Sequence, residues 1–396
     1  MERSDWTIGR LLPCGFKIVV SKGTEHSRWQ RQFHLNSGHR HLENGLGITR
    51  RPQGHCSKTL RGVLGLRILL HHRPRGLSDH RPTFKSSTGI LTRCQIAESD
   101  QRAIFDTMRS FFALDRDEKM EAHMHKNAAM RGYEPMMETQ LDPRTKGDIK
   151  EAFTMGDCVL EPEQNYRGRT GEEPPAHIKK PQNIWPGSAP WFRENMYQYY
   201  SIVQPLAIKL MRLFALILQD DESAFDQYFK FPITGMRALH YPPMPPDSGA
   251  NANGLGAHAD FSWLTLVLQD AIGGLEVLNK DGVWIDAPPK PGTFVCNVGQ
   301  YLERQTNAIF PATVHRVRNK TGERRYSIPF FLTPDPGAKL QVLDTCLEVG
   351  QEKPEPIDVG DLYIRRILPA RKKHPTSIKY ISTPEEEWRY DFLYGN

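Results

Sequence analysis

The sequence predicts a mainly β protein with flanking helices, and three observations carry that expectation. Between residues 236 and 332, seven short runs rich in β-branched and aromatic residues follow one another, separated by turn formers such as Gly273-Gly274 and Lys280-Asp281-Gly282. Upstream of residue 231 the apolar residues recur at helical spacing instead. No internal repeat or sustained heptad is present, which excludes a solenoid or a coiled coil. What remains is a compact antiparallel unit of about a hundred residues, a sandwich or a jelly roll, with helices packed outside.

At 396 residues and 38% hydrophobic composition the chain can bury one or two cores. Its net charge of +6 is unevenly distributed: residues 1–95 carry +12 and the remainder −6. Eight of the fifteen histidines also precede residue 95, in a stretch with neither helical nor strand period. Residues 1–94 are therefore expected to be a basic, irregular segment that contributes nothing to a functional site. Few aromatics interleave with its basic residues and no nucleic-acid module is present, so no nucleic-acid partner is expected. The best leader candidate, Leu11 to Val20, is broken by Pro13 and Lys17, and no run approaches the roughly 18 apolar residues that cross a bilayer. Neither a secretory signal nor a membrane contact is expected. Six scattered cysteines without a C-x-x-C pair argue against a disulfide framework or zinc knuckle and for the cytoplasm.

Residues 95–230 form a helical part. Asp100 can cap a helix whose Ile104, Phe105, Met108, Phe111 and Phe112 bury one face, and Asp115 to Met120 reads as a short second helix. Arg131 to Pro190, rich in Gly, Pro and charge, reads as long surface connections. Trp191 to Leu218 is a long helical segment with Tyr200, Val203, Leu206, Leu210, Leu213 and Ile217 on one side, and Pro205 inside it predicts a kink or a junction. The β unit then occupies residues 231–336. Its strands are expected at Met236 to Tyr241, Leu264 to Gln269, Leu275 to Leu278, Val283 to Ala287, Thr293 to Val298, Thr313 to Val317 and Tyr326 to Leu332. Residues 337–396 form a C-terminal extension with a helix.

Within the β unit the informative residues are His258, Asp260 and His315. Alternate residues of a strand share a face, so His258 and Asp260 can offer an imidazole and a carboxylate to one ion, and His315 can join them from another strand. Two histidines and a carboxylate on one face leave the opposite face of an octahedral ion open, as an Fe(II) oxygenase needs. Zinc, usually content with four ligands, gains nothing from that vacancy. The pair alone is a weak signal, since about one His-x-Asp is expected by chance in a chain of this length. Ten residues after His315 stand Arg325-Tyr326-Ser327, where the same alternation puts a forked guanidinium and a hydroxyl on one face. An arginine buried in a barrel is costly without an anionic partner, so a carboxylate guest is expected.

In order and spacing, His258-Ala259-Asp260-Phe261, Gln269-Asp270, Gly273-Gly274-Leu275-Glu276-Val277, Gly282-Val283-Trp284-Ile285, Asn297-Val298-Gly299, His315-Arg316-Val317 and Arg325-Tyr326-Ser327 resemble the 2-oxoglutarate and Fe(II)-dependent dioxygenases of the isopenicillin N synthase-like group. Upstream, Arg131-Gly132-Tyr133, Lys150-Glu151-Ala152-Phe153 and His240-Tyr241-Pro242-Pro243 join them, and Gly360-Asp361-Leu362-Tyr363 is similar to the family's C-terminal helix. The resemblance spans roughly residues 100–370. It implies a double-stranded β-helix, or distorted jelly roll, and an oxidoreductase that uses Fe(II), 2-oxoglutarate and O2. It assigns His258, Asp260 and His315 to the metal, and Arg325, Ser327 and Tyr241 to the keto acid, with no catalytic side chain beyond the metal ligands. The implied reaction couples keto-acid decarboxylation to oxidation of a C–H bond of a small molecule, with hydroxylation, desaturation or ring closure as outcomes, as in secondary metabolism. The branch that lacks a cosubstrate, and a non-catalytic binding protein on the same fold, are the rival readings. A monomer is expected.

Three departures stand out. Gln300 replaces the Asp that usually follows the Asn-x-Gly turn, with a small local effect expected. Leu239 stands where many relatives carry Asn, so one polar contact to the keto acid is expected to be lost or supplied by Arg237. The family's N-terminal strands survive only as faint echoes at Cys14 to Val20 and Ser87 to Ile90, separated by the basic stretch. Phe261, Trp263, Phe330 and Phe331 are candidates for an apolar pocket lining.

Overall fold

The computed structural model describes residues 96–142, 147–156, 167–168, 171–173, 183–244, 254–279 and 281–394. The basic segment 1–94 and its two strand echoes lie outside the described residues.

Twelve strands form two facing sheets and a small hairpin among the described residues. The larger sheet joins β1 (Gly132–Glu134), β2 (Glu151–Gly156), β3 (Gly235–Tyr241), β5 (Leu264–Gln269), β8 (Phe294–Val298) and β10 (Arg325–Leu332) in the order β1-β2-β3-β10-β5-β8. The smaller joins β4 (Leu255–His258), β6 (Leu275–Leu278), β7 (Trp284–Asp286) and β9 (His315–Val317) in the order β4-β9-β6-β7. All pairings are antiparallel. Strands β11 (Lys339–Leu340) and β12 (Ile357–Asp358) pair apart from both.

Strand alternation divides the molecule into two cores. Met236 and Ala238 of β3, Leu264, Leu266 and Leu268 of β5, Phe294 and Cys296 of β8, and Tyr326, Ile328 and Phe330 of β10 belong to a large core shared with the helices. Leu239, Tyr241, Val267 and Val295, one residue out of phase, meet Leu255, Leu275, Val277 and Val317 of the smaller sheet in a second core. That space between the sheets is the interior of the jelly roll. Because the large sheet is covered on both faces, its strands read as nearly continuous apolar runs.

Three helices back the large sheet. Helix α1 (Glu98–Phe112) buries the expected stripe, although its N-cap is Ala97 and Asp100 lies within its first turn. There Asp100 still favours the positive end of the helix dipole. Helix α2 (Arg116–Glu121) opens with a capping box between Asp115 and Glu118. The long α3 (Pro190–Ile217) runs through Pro205 as one helix and buries Tyr200, Val203, Leu206 and Leu210, with Phe192 stacked on Phe111 at 4.0 Å between ring centroids. By length and composition α3 could cross a membrane, but half of its apolar window is buried inside the fold, as befits a core helix. Helix α4 (Gln300–Gln305) follows β8, and α5 (Val359–Ala370) and α6 (Pro375–Ile381) follow β12.

The expectation of surface connections over Arg131 to Pro190 is corrected. Strands β1 and β2 lie there, fully buried, and carry charged residues whose partners are also buried: Glu151 accepts hydrogen bonds from Lys119 at 2.9 Å and Tyr133 at 2.5 Å and pairs with His240 at 2.7 Å. Those charges disguise strands as loops.

Candidate metal centre and cosubstrate pocket

His258 is the last residue of β4, and Asp260 lies two residues on, just beyond the strand rather than in it. His258 and His315 are register partners across β4 and β9. The Asp260 Oδ1 stands 3.5 Å from His258 Nε2 and 3.7 Å from His315 Nε2, and one ligand atom from each residue lies within 4.8 Å of the others. His258 Nδ1 donates to the Gly256 carbonyl at 2.8 Å and His315 Nδ1 to the Thr313 carbonyl at 3.0 Å in the tautomers that satisfy both bonds. Each ring then presents an unprotonated Nε2 toward Asp260, the arrangement a metal-binding imidazole requires. Asp260 Oδ2 is buried without a hydrogen-bond partner. Burial alone would raise the Asp260 pKa, but the His315 and His258 rings beside it hold the carboxyl far below its usual range. An ionised carboxylate, two Nε2 lone pairs and an unsatisfied carboxylate oxygen form a donor set that fits one divalent ion.

The turn carrying Asp260 is fixed from behind. Gly299 N–H donates to the Trp263 carbonyl and Gln300 N–H to the Asp260 carbonyl, both at 2.8 Å, while the Gln300 side chain reaches the Ala259 carbonyl at 3.4 Å. Gln300 thus acts through its backbone, as any residue there can. A Cβ on Gly299 would overlap the Ser262 carbonyl oxygen, so the turn packs against a position that admits only glycine.

Arg325 and Ser327 face the interior from β10. Arg325 is fully buried; its Nη2 donates to Gln269 Oε1 at 2.7 Å, Nη1 to Ser327 Oγ at 3.2 Å and Nε to the Ile272 carbonyl at 3.3 Å. No carboxylate among the described residues lies within ion-pair distance of it. Tyr241 is its register partner on β3, with the guanidinium 4.9 Å from the ring centroid. The Tyr241 hydroxyl faces Ser327 yet has no hydrogen bond of good geometry, and burial raises its pKa despite Arg325 and Ser327 nearby. Asn297, on the same inner wall, has neither side-chain atom satisfied. These are donors and acceptors awaiting a polar guest.

The comparisons with known proteins follow the same geometry. The sequence profile described as the 2OG-Fe(II) oxygenase superfamily matches residues 232–334, and one described as the N-terminal region of a non-haem dioxygenase in morphine synthesis matches residues 88–188. A 2-oxoglutarate-Fe(II) type oxidoreductase, hxnY of Emericella nidulans, is 36% identical over 279 residues, covering 69% of this chain and 78% of that protein. The chain belongs to the 2-oxoglutarate and Fe(II)-dependent oxygenases. The oxygenase is also similar, at 35% identity over 252 residues (62% of this chain and 72% of the relative), to a homoarginine-6-hydroxylase of Glycine max. Among solved structures, a 2OG-Fe(II) oxygenase family protein from Caulobacter crescentus superposes with a TM-score of 0.58 at 32% identity, covering 69% of this chain and 86% of its own. Neurospora crassa T7H in complex with alpha-KG does so with a TM-score of 0.56 at 28% identity, covering 68% and 82%. The oxygenase accordingly has the jelly-roll fold of these enzymes and uses Fe(II), 2-oxoglutarate and O2.

Other expectations are corrected. Trp263 and Phe330 are wholly buried in the helix-side core, Trp263 among Phe225, Tyr228 and Phe229 with its indole N–H on Gln305, so they line no pocket. Phe261, next to Asp260 in the chain, is partly buried against the same core and edge-on to Tyr363 of α5 at 5.3 Å. Leu239 joins the inner apolar core, and Arg237 donates from Nη2 to both oxygens of Glu134 at 3.1 and 3.0 Å, so Arg237 does not simply replace the missing asparagine. Sequence reasoning missed Asp148, which accepts from the Gly256 N–H of β4 at 2.9 Å, and the buried Arg371. It also missed a second group, His123, His125 and Glu138, whose ligand atoms are as close together as those of the triad. There His125 and Glu138 already pair at 2.6 Å.

Proposed function

We propose that this oxygenase oxidises a C–H bond of a small organic molecule at an Fe(II) held by His258, Asp260 and His315. The distal carboxylate of 2-oxoglutarate would be held by Arg325 with Ser327 and Tyr241. The observation that carries the reading is Arg325 itself: fully buried, facing the interior from the sheet opposite the triad, and without a carboxylate of its own among the described residues. When bound, iron, keto acid and O2 together supply the oxidising equivalent that attacks the substrate. This chain's residues do the rest. Arg325 and Ser327 orient the keto acid, Tyr241 offers its unsatisfied hydroxyl, and the Gly256 and Thr313 carbonyls hold both imidazoles in the ligating tautomer.

Small-molecule chemistry among similar proteins supports the substrate class: one relative is a homoarginine-6-hydroxylase, and T7H has been crystallised with thymine. The free, buried Cys296 and Cys346 agree with a reducing compartment such as the cytoplasm. Succinate release is the test. It should require both Fe(II) and added 2-oxoglutarate; turnover without the keto acid would move the protein to the cosubstrate-free branch, and tight keto-acid binding without any turnover to a binding role.

A further inference from the structure

Arg371 follows the last turn of α5 and is only 5% exposed. Its guanidinium makes no hydrogen bond or ion pair among the described residues, and its Nε is sealed from solvent. The residue before it, Ala370, accepts a hydrogen bond from the Gln140 N–H, and Thr139, next to Gln140, accepts one from the Asp148 N–H. Asp148 in turn accepts from the Gly256 N–H at 2.9 Å, and the Gly256 carbonyl accepts from His258 Nδ1 at 2.8 Å. The cluster around Arg371 is therefore tied to the strand that ends in His258.

Its charges do not balance. At formal charge, four buried cations, Arg131, Lys150, Arg237 and Arg371, meet three buried anions, Glu134, Asp142 and Asp148. Glu134 is taken by both Lys150 and Arg237, and Arg131 donates from Nη1 and Nη2 to the Met155 and Thr234 carbonyls at 3.1 and 3.4 Å while its Nε is unsatisfied. Asp148 gives one oxygen to Gly256 N–H, and its other oxygen is buried without a hydrogen-bond partner. Iron and 2-oxoglutarate do not mend the deficit: two positive charges on the metal and one on Arg325 offset Asp260 and a dianionic keto acid. Nearby, the buried Thr154 hydroxyl and the Arg237 Nε are also unsatisfied. A guanidinium that only balanced the fold would have a partner; an unpaired one at such depth is costly unless a guest completes it.

We propose that Arg371, backed by Arg237, binds a carboxylate of the substrate, so that this oxygenase selects small organic acids and holds them by the acid group while a C–H bond faces the iron. The planar fork of the guanidinium matches a carboxylate edge-on, which fixes orientation as well as affinity. The inference rests on the oxygenase reading above and narrows its substrate class.

The test uses the full chain loaded anaerobically with Fe(II) and saturated with 2-oxoglutarate, so that the Arg325 site is filled and no turnover occurs. Melting temperature is followed while benzoate, hexanoate, benzamide, hexanamide or phenyl phosphate is added to about 10 mM, a range that covers weak small-ligand affinities. At least one carboxylate should stabilise the protein saturably and its amide should not. Arg371→Gln should weaken that carboxylate about tenfold or more, and Arg371→Lys, which keeps the charge and the buried stem but not the fork, should weaken it less. Both should bind 2-oxoglutarate as the parent does. No response to either carboxylate, equal response to the amides, preference for the phosphate, or parental carboxylate affinity in whichever variant folds would each overturn the proposal. The shift caused by 2-oxoglutarate before any probe is added is read separately: its absence sinks the oxygenase reading, whereas its presence without a carboxylate response sinks only this inference.

Discussion

His258 and His315 are direct cross-strand partners, their ring centroids 4.4 Å apart, so two of the proposed metal ligands are positioned by the hydrogen-bond ladder itself. Asp260 has no such ladder position and depends on the turn stapled to Gly299 and Gln300. Asp260→Ala should therefore abolish stoichiometric iron binding while leaving the two-sheet fold intact. Iron content after desalting, read beside the circular dichroism spectrum, checks this; a variant that keeps its iron and full activity would remove Asp260 from the ligand set.

Arg325→Ala should lose about 2–5 kcal/mol of 2-oxoglutarate affinity, the usual consequence of deleting one side of a desolvated, forked ion pair. Arg325→Lys keeps the charge but cannot reproduce the contacts to Gln269 and Ser327, so it should also bind poorly. The Michaelis constant for the keto acid is the measurement, and an unchanged value in either variant speaks against the assignment.

Gly299→Ala should destabilise the protein by roughly 1–3 kcal/mol and weaken iron retention, because the new methyl group collides with the Ser262 carbonyl behind the Asp260 turn. Gly273→Ala is the matched control, since nothing lies within 4 Å of a Cβ there. Thermal melts with and without iron distinguish the pair.

His374 gives the fold an acid-sensitive joint. Its Nδ1 accepts from the Thr376 N–H and its Nε2 donates to the Met124 carbonyl, so the ring works only when neutral, and burial pushes its pKa down to about 4. A base whose pKa is lowered on folding contributes stability that is complete above its unfolded value near 6.5 and is lost as the pH falls toward 4. The loss should reach about 2–3 kcal/mol, discounted for incomplete burial. His374→Asn, which can still cap α6, should flatten that part of the stability profile in urea unfolding at pH 4–7.

Removal of residues 1–87 should leave iron and 2-oxoglutarate binding unchanged. The dioxygenase N-terminal profile begins at residue 88, and the charge of +12 over residues 1–95 is separate from the site's residues. Iron content and the keto-acid melting shift of the shortened chain are the readouts, and loss of either would make the early segment part of the functional unit.

The strands from β5 to β10 were legible because their apolar runs are short and bounded by glycine and proline turns; β5 and β6 fall on the expected residues. Strand β4 was not, since Leu255-Gly256-Ala257-His258 contains no β-branched residue. Strands β1 and β2 were hidden by Glu134 and Glu151, charges that look solvent-facing until their buried partners are known. The Arg325–Ser327 pair follows strand alternation, a local property, whereas the grouping of Asp260 with the two histidines came from the resemblance, because Asp260 lies beyond the end of β4. Arg371 could not, because being unpaired is a property of surroundings contributed by β1, β3 and the segment around Asp148.

The parts of the chain that hold the reacting groups and the part that would grip the substrate are separately anchored. Residues 241–327 carry the proposed iron and keto-acid ligands, whereas the stretch around Arg371 is tied to the segment before β2: Ala370 accepts from Gln140 N–H, Lys373 from its Nζ reaches the Met137 carbonyl, and His374 binds Met124. Groups held by different backbone contacts vary more independently in energy than groups on one strand. Mutation in the final helices can therefore alter which molecule is accepted without disabling the oxidising centre. For a lineage exploring new metabolites, that separation makes change of substrate a matter of small steps, each taken by an enzyme that still works.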